Sequence, residues 1–151
     1  MSTLRTNALE GMDAKNSITI VAGAGNITTT NVQEGLCKVW STYEQDTNSL
    51  ENSFNVSSQS DDATGRTTIT FSNSFNNVDY SFTGTVFDGT GANDVRVIGH
   101  DNGTDTYTTS ALKFYTCQSD GTLNDAERLF SQFMGDLALH QNFKEHIYGI
   151  D

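Results

Sequence analysis

Apolar and polar residues alternate in short runs along most of the chain, and clusters of Gly, Asp and Asn separate the runs. In Arg66-Thr-Thr-Ile-Thr-Phe71, Ile69 and Phe71 share one face while Thr68 and Thr70 take the other, the two-residue period of a half-buried strand. Tyr80-Ser-Phe-Thr-Gly-Thr-Val86 repeats it, with Tyr80 and Phe82 on one face and Gly84 and Val86 continuing that face. Val95 and Val97 are in phase within 94–100, as are Leu112 and Phe114 within 106–116. Shorter runs at Leu36-Cys-Lys-Val-Trp40 and Ser53-Phe-Asn-Val56 read as strands, and 128–136 fits strand or helix. Turn clusters fall at 61–65, 73–77, 88–93, 101–104 and 119–122. Short strands punctuated in this way predict an all-β fold, an antiparallel β-sandwich head over 36–138, and not a βαβ unit.

The flanks differ from this head. Residues 1–35 are poor in aromatics and contain one clear short strand, Ser17-Ile-Thr-Ile-Val21, a Gly/Ala loop at 22–26, and a second candidate strand at 27–32. A segment with so little apolar surface does not fold alone. It is expected either to lie across the head or to intertwine with copies of itself as an extended β stem. In residues 139–151, Leu139, Phe143 and Ile147 recur every fourth position, which predicts a short helix with one apolar stripe. A helix of that length is marginal by itself, so the reading is a docking tail that needs a neighbouring surface.

Composition sharpens the picture. Hydrophobic residues are 35% and charged ones 18% of the 151 residues, both below the usual globular share. The difference is made up by 21 Thr, 14 Ser and 14 Asn, which favour strands and turns over helix interiors. Nine Phe, five Tyr and one Trp supply a core and set the chain apart from a disordered acidic tail. The formal charge is −11. A surface of that sign repels phosphates, so neither nucleic acid nor an anionic membrane surface is an expected partner. No run approaches the roughly 18–20 apolar residues of a membrane span, and residues 1–10 lack the apolar stretch of a signal peptide. Assembly in a cytoplasm is the expectation. Cys37 and Cys117 then read as two buried thiols, not a disulfide. The sequon matches at Asn26, Asn55 and Asn102 are of the kind an Asn- and Thr-rich chain produces by chance.

No catalytic constellation stands out, so the chain reads as a non-enzyme without cofactor or metal. Nucleophile-elbow, zinc-protease, Cys-x-x-Cys and phosphate-loop patterns are all missing from the sequence. His100, Asp101 and Cys117 form a conceivable hydrolytic set, but a strand-end histidine beside a turn accounts for them more simply. The acidic turns at 88–94 and 101–105 offer oxygen ligands at alternate positions, as calcium loops do; Asp, Asn and Gly are equally what a β-turn requires. Most aromatics fall in strand alternation and are expected in the core. Tyr43, Tyr107 and Tyr115 flank turns or sit out of phase, and are the candidates for an exposed receptor-binding surface that stacks on sugar rings.

The ordered series Lys38-Val-Trp40, Asn52-Ser-Phe-Asn-Val-Ser-Ser58, Asp61/Asp62, Thr64-Gly-Arg66, Thr68-Ile-Thr-Phe71, Phe75-Asn-Asn-Val-Asp-Tyr-Ser81 and Phe133-Met-Gly-Asp-Leu137 resembles a module of tail-fibre-like virion proteins from marine tailed bacteriophages, cyanophages among them. Ser2-Thr-Leu-Arg-Thr-Asn7 with Ser17-Ile-Thr-Ile20 is similar to the stems that precede it. The chain departs from the module in having Asn76-Asn-Val-Asp79 where a proline is common, and in the extra tail 139–151. The resemblance implies a β-sandwich head on a β stem, assembled as a homotrimer in the virion, with other virion proteins as neighbours and a host-surface glycan as target. A capsid or tail decoration that joins virion components, without receptor binding, is the other reading.

Overall fold

The alternating runs become two four-stranded antiparallel sheets laid face to face. The computed structural model describes residues 19–21, 29–31, 35–89, 96–101 and 107–138. Its strands are β1 (Thr19–Val21), β2 (Thr29–Asn31), β3 (Val39–Glu44), β4 (Ser49–Phe54), β5 (Val56–Ala63), β6 (Arg66–Phe71), β7 (Ser81–Phe87), β8 (Arg96–His100), β9 (Ala111–Gln118) and β10 (Arg128–Met134). A front sheet has the order β4-β3-β10-β7 and a back sheet the order β5-β6-β9-β8, every pairing antiparallel. Among the described residues no helix is long and apolar enough to cross a membrane.

Period-two alternation decides what goes between the sheets. Val39 and Tyr43 of β3 and Leu129 and Phe133 of β10 point inward from the front, meeting Ile69, Phe71, Leu112 and Phe114 from the back; all are buried. Phe71 meets Phe75, Tyr80 and Phe133 edge-on, with centroids 5.2, 5.7 and 5.1 Å apart, the arrangement that the ring quadrupole favours. One inward row is deliberately small. Ser41, Ser131 and Gly84 stand side by side across β3, β10 and β7, the two hydroxyls share a 2.7 Å hydrogen bond, and a methyl at Gly84 would meet Ile98 Cδ1 at 3.0 Å. The gap in the front sheet is thus filled by a side chain of the back sheet.

Two backbone features shape the chain path. Asn55 adopts φ 58° and turns the chain from β4 in the front sheet into β5 in the back. Its amide holds the corner: Oδ1 accepts from Asn73 N–H and Asn73 Nδ2, both at 2.8 Å, and Nδ2 donates to the Lys38 and Asn73 carbonyls. That sequon amide is therefore fully employed within the fold. Gly65 adopts φ +65° in the two-residue turn between β5 and β6, where a Cβ would lie 2.5 Å from the Thr116 carbonyl oxygen.

Several expectations from the sequence are amended. The run 53–56 is not one strand but the end of β4, the Asn55 corner and the start of β5. The turn expected over 61–65 shrinks to Thr64 and Gly65, because β5 runs on to Ala63. The strand-or-helix run is a strand, β10, with Leu129, Ser131 and Phe133 inward. Within the segment expected to form a stem, β1 and β2 pair antiparallel within the chain, Thr19 opposite Asn31. The rest of 1–34 and the whole of 139–151, with Leu139, Phe143 and Ile147, lie outside the described residues.

The order of strands also fixes polarity. β3 begins and β10 ends at the same end of the head, as antiparallel neighbours, with Lys38 N–H donating to the Phe133 carbonyl at 2.9 Å. The segments that precede β3 and follow β10 therefore join the head at one end, the near end. The far end carries the turns at 45–48, 64–65 and 119–127.

Candidate functional site

The three tyrosines singled out from the sequence go to three different environments. Tyr43 is not a surface group. It is the last inward position of β3, fully buried, and its hydroxyl donates to Asn48 Oδ1 at 2.5 Å; burial, with Asp61 next, pushes its pKa up to about 12. The adjacent turn made it look exposed, whereas its phase with Val39 and Ser41 places it in the core, so it cannot stack on a sugar. Tyr107 is half-buried at the near end, its ring against Tyr80 at 4.6 Å and His100 at 4.8 Å, its hydroxyl donating to the Tyr80 carbonyl. Tyr115 does reach an outer face, that of the back sheet. It lies over Gly99, where any added Cβ would sit 2.6 Å from the ring.

The conceivable hydrolytic set is not assembled. His100 pairs with Phe114 and Cys117 with Val97, which separates His100 from Cys117 by three residues, about 10 Å, along the strands. Asp101 pairs with Arg66 and Asp88 with Arg96, so the two acidic turns spend a carboxylate each on an arginine; residues 90–95 and 102–106 lie outside the described residues. Among the described residues no three His, Cys, Asp or Glu side chains converge to hold a metal. Cys37 and Cys117 are both free, the first half-buried and the second buried. Charge gathers at the far end, where burial and then the neighbouring Asp125 and Asp62 hold the Asp61 carboxyl above its ordinary range.

The outer face of the front sheet is the feature that sequence reasoning missed. Phe54, Phe87 and Phe130 are 54%, 50% and 40% exposed there, and Trp40 accompanies them half-buried. Register builds the face in rows: Phe54, Trp40, Gln132 and Thr83 in one, Asn52, Thr42, Phe130 and Thr85 in the next. Between these rows lies an open groove of about 290 Å³, walled by Trp40, Thr42, Thr83, Thr85, Phe130 and Gln132. None of these six side chains is charged, in a chain of net charge −11. None of them makes a side-chain hydrogen bond within the described residues, so their donors and acceptors are turned outward. An ion pair, Arg128 with Glu44 at 2.5 Å, stands at the far-end margin of the face. The back sheet differs: Ser58, Ser60, Thr68, Thr70, Arg66 and Lys113 share its outer face with Tyr115 and the exposed Val97.

A signal for this face was present in the sequence. Leu129-Phe130 and Phe133-Met134 put apolar residues on both phases of one strand, more than a single core needs. Phe54 and Phe87 also end their strands on the polar phase. No family model matches the chain, and neither a curated protein nor a solved structure does.

Proposed function

We propose that the protein is a non-enzymatic structural component of a phage virion, a short trimeric fibre or appendage whose β-sandwich head contacts the host surface. The observation that carries this reading is the polarity of the head. Stem and tail both join at the near end, beside the first residue of β3 and the last of β10, which leaves the far end and both sheet faces directed away from the attachment. Thr- and Asn-rich strand pairing in the stem, as between β1 and β2, suits a slender multi-chain shaft. Linked heads gain by avidity, since second and third contacts are intramolecular. Salt screens repulsion between acidic copies. The test is mass in solution: a species of three times 16.5 kDa is expected, and a stable monomer at micromolar concentration refutes the fibre.

A second reading, a decoration or adaptor that joins virion components, is favoured by the four-residue spacing of Leu139, Phe143 and Ile147 in the sequence after β10. Deleting 139–151 separates the two. Loss of incorporation into particles favours the joint; normal particles with poor adsorption favour the receptor binder.

A further inference from the structure

We propose that the groove on the outer face of the front sheet binds an uncharged hexopyranose unit of a polysaccharide. The inference rests on the attachment reading for its biological setting, but its chemistry stands on the groove itself. A pyranose has an apolar face of C–H bonds and a rim of hydroxyls. Trp40 and Phe130 sit on neighbouring strands two residues out of register, a diagonal separation of about 7–8 Å, so a ring lying on either aromatic has its rim beside the other row. Thr42 and Thr85 flank Phe130 in its own row, and Gln132 and Thr83 continue the row of Trp40. Three hydroxyls and one amide, unspent within the described residues, can each donate and accept, which matches sugar hydroxyls that do both.

Charge selects the class of sugar. A sulfated or uronic polysaccharide needs Arg or Lys to offset its desolvation, and this groove has neither, on a chain that repels anions overall. Size agrees: about 290 Å³ lies at the small end of ligand sites, enough for one or two sugar units and not for a folded partner. A second copy of the chain is the other occupant to weigh. Protein interfaces centre on a continuous apolar patch with the polar groups at the rim, whereas here Phe54 pairs with Trp40 but Gln132 and Thr42 fill the other diagonal between Trp40 and Phe130. Single-site binding of this kind is weak, and linking heads raises it by on the order of 10²–10⁴.

Native affinity electrophoresis of the full chain through gels containing dextran, mannan, galactan or soluble starch, with dextran sulfate as the charged control, tests the proposal. Retardation by at least one neutral polymer and not by dextran sulfate is expected. Phe130→Ala and Trp40→Ala should each weaken that retardation about tenfold, with the urea midpoint checked alongside. Thr83→Val, which keeps shape and removes a hydroxyl, serves if an aromatic variant fails to fold, and should also weaken retardation. Ser58→Ala, on the outer face of the back sheet, should leave it unchanged. The proposal is overturned if no neutral polymer retards the protein, if Phe130→Ala is retarded like the parent, or if Phe130→Ala breaks the oligomer, which would give the face to another copy. The two readings fail separately. A trimer that ignores every neutral polymer removes the groove alone, and a monomer retarded through Phe130 removes the fibre alone.

Discussion

Replacing Gln45 by leucine tests how the two sheets are pinned at the far end. Gln45 is 1% exposed. Its Nε2 donates to Thr67 Oγ1 at 3.1 Å, and its Oε1 accepts from Thr116 Oγ1 at 3.0 Å and from the Ala126 N–H at 2.9 Å. Leucine fills nearly the same space but accepts nothing. Thr116 has a second acceptor, the Asn124 carbonyl at 2.7 Å, so its hydroxyl is rescued. The Ala126 N–H is stranded in a site with no exposure. One orphaned buried donor costs about 1–3 kcal/mol, and the lost bond to Thr67 adds about 1 kcal/mol, a total of about 2–4 kcal/mol. Urea unfolding followed by the fluorescence of Trp40, the one tryptophan, reads this directly. With a slope of about 2 kcal/mol/M, the midpoint should fall by roughly 1–2 M at unchanged slope. A fall below about 0.3 M would refute the argument that this amide clamps the sheets.

Four further outcomes follow from the same packing. Gly65→Ala forces an L side chain into φ +65° and against the Thr116 carbonyl; a loss of at least about 2 kcal/mol is expected by urea unfolding. Ser41→Val and Ser131→Val should each destabilise by stranding the other hydroxyl, about 1–3 kcal/mol, while the double variant recovers part of the loss, a coupling that a double-mutant cycle measures. Gln59 is buried on β5 with neither amide atom bonded among the described residues, so Gln59→Met should raise the urea midpoint, by about 1 kcal/mol in stability. Burial raises the phenol pKa of Tyr43 to about 12 and raises that of Tyr80 as well, Asp61 adding to the first and Tyr107 to the second. The folded state then holds protons that the unfolded state releases near pH 10. Stability from these groups is complete below pH 10 and declines as pH rises toward 12; Tyr43→Phe should flatten that decline in urea midpoints.

The back-sheet strand β6 was readable to the residue, because Arg66-Thr-Thr-Ile-Thr-Phe71 obeys a single alternation and both its neighbours are strands. β4 and β5 were not, since Ser49–Phe54 and Val56–Ala63 are sheet-edge strands rich in Ser, Glu, Asn, Gln and Asp. An edge strand need bury little, so its sequence lacks the apolar alternation that marks a strand. The corner between them depends on Asn73, 18 residues away, a contact that no local window contains. For the candidate site, the sequence indicated aromatic and hydroxyl chemistry at three tyrosines, of which Tyr43 is in the core and Tyr115 on the back sheet. Proximity to turns pointed to Tyr43, while on the outer face of the front sheet Phe54 and Phe87 end their strands and cross-strand register, not local pattern, brings Trp40 beside Phe130.

The adjacency of the first and last strands of the head has a mechanical consequence. A pull that parts the segment before β3 from the segment after β10 opens the β3–β10 ladder from one end, breaking its pairs in succession. A load at the far end, with those two segments held together, runs lengthwise through β3 and β10 and shears their ladders with β4 and β7. The sandwich is thus stiff to a load at its far end and soft to a separation of the two segments at its near end.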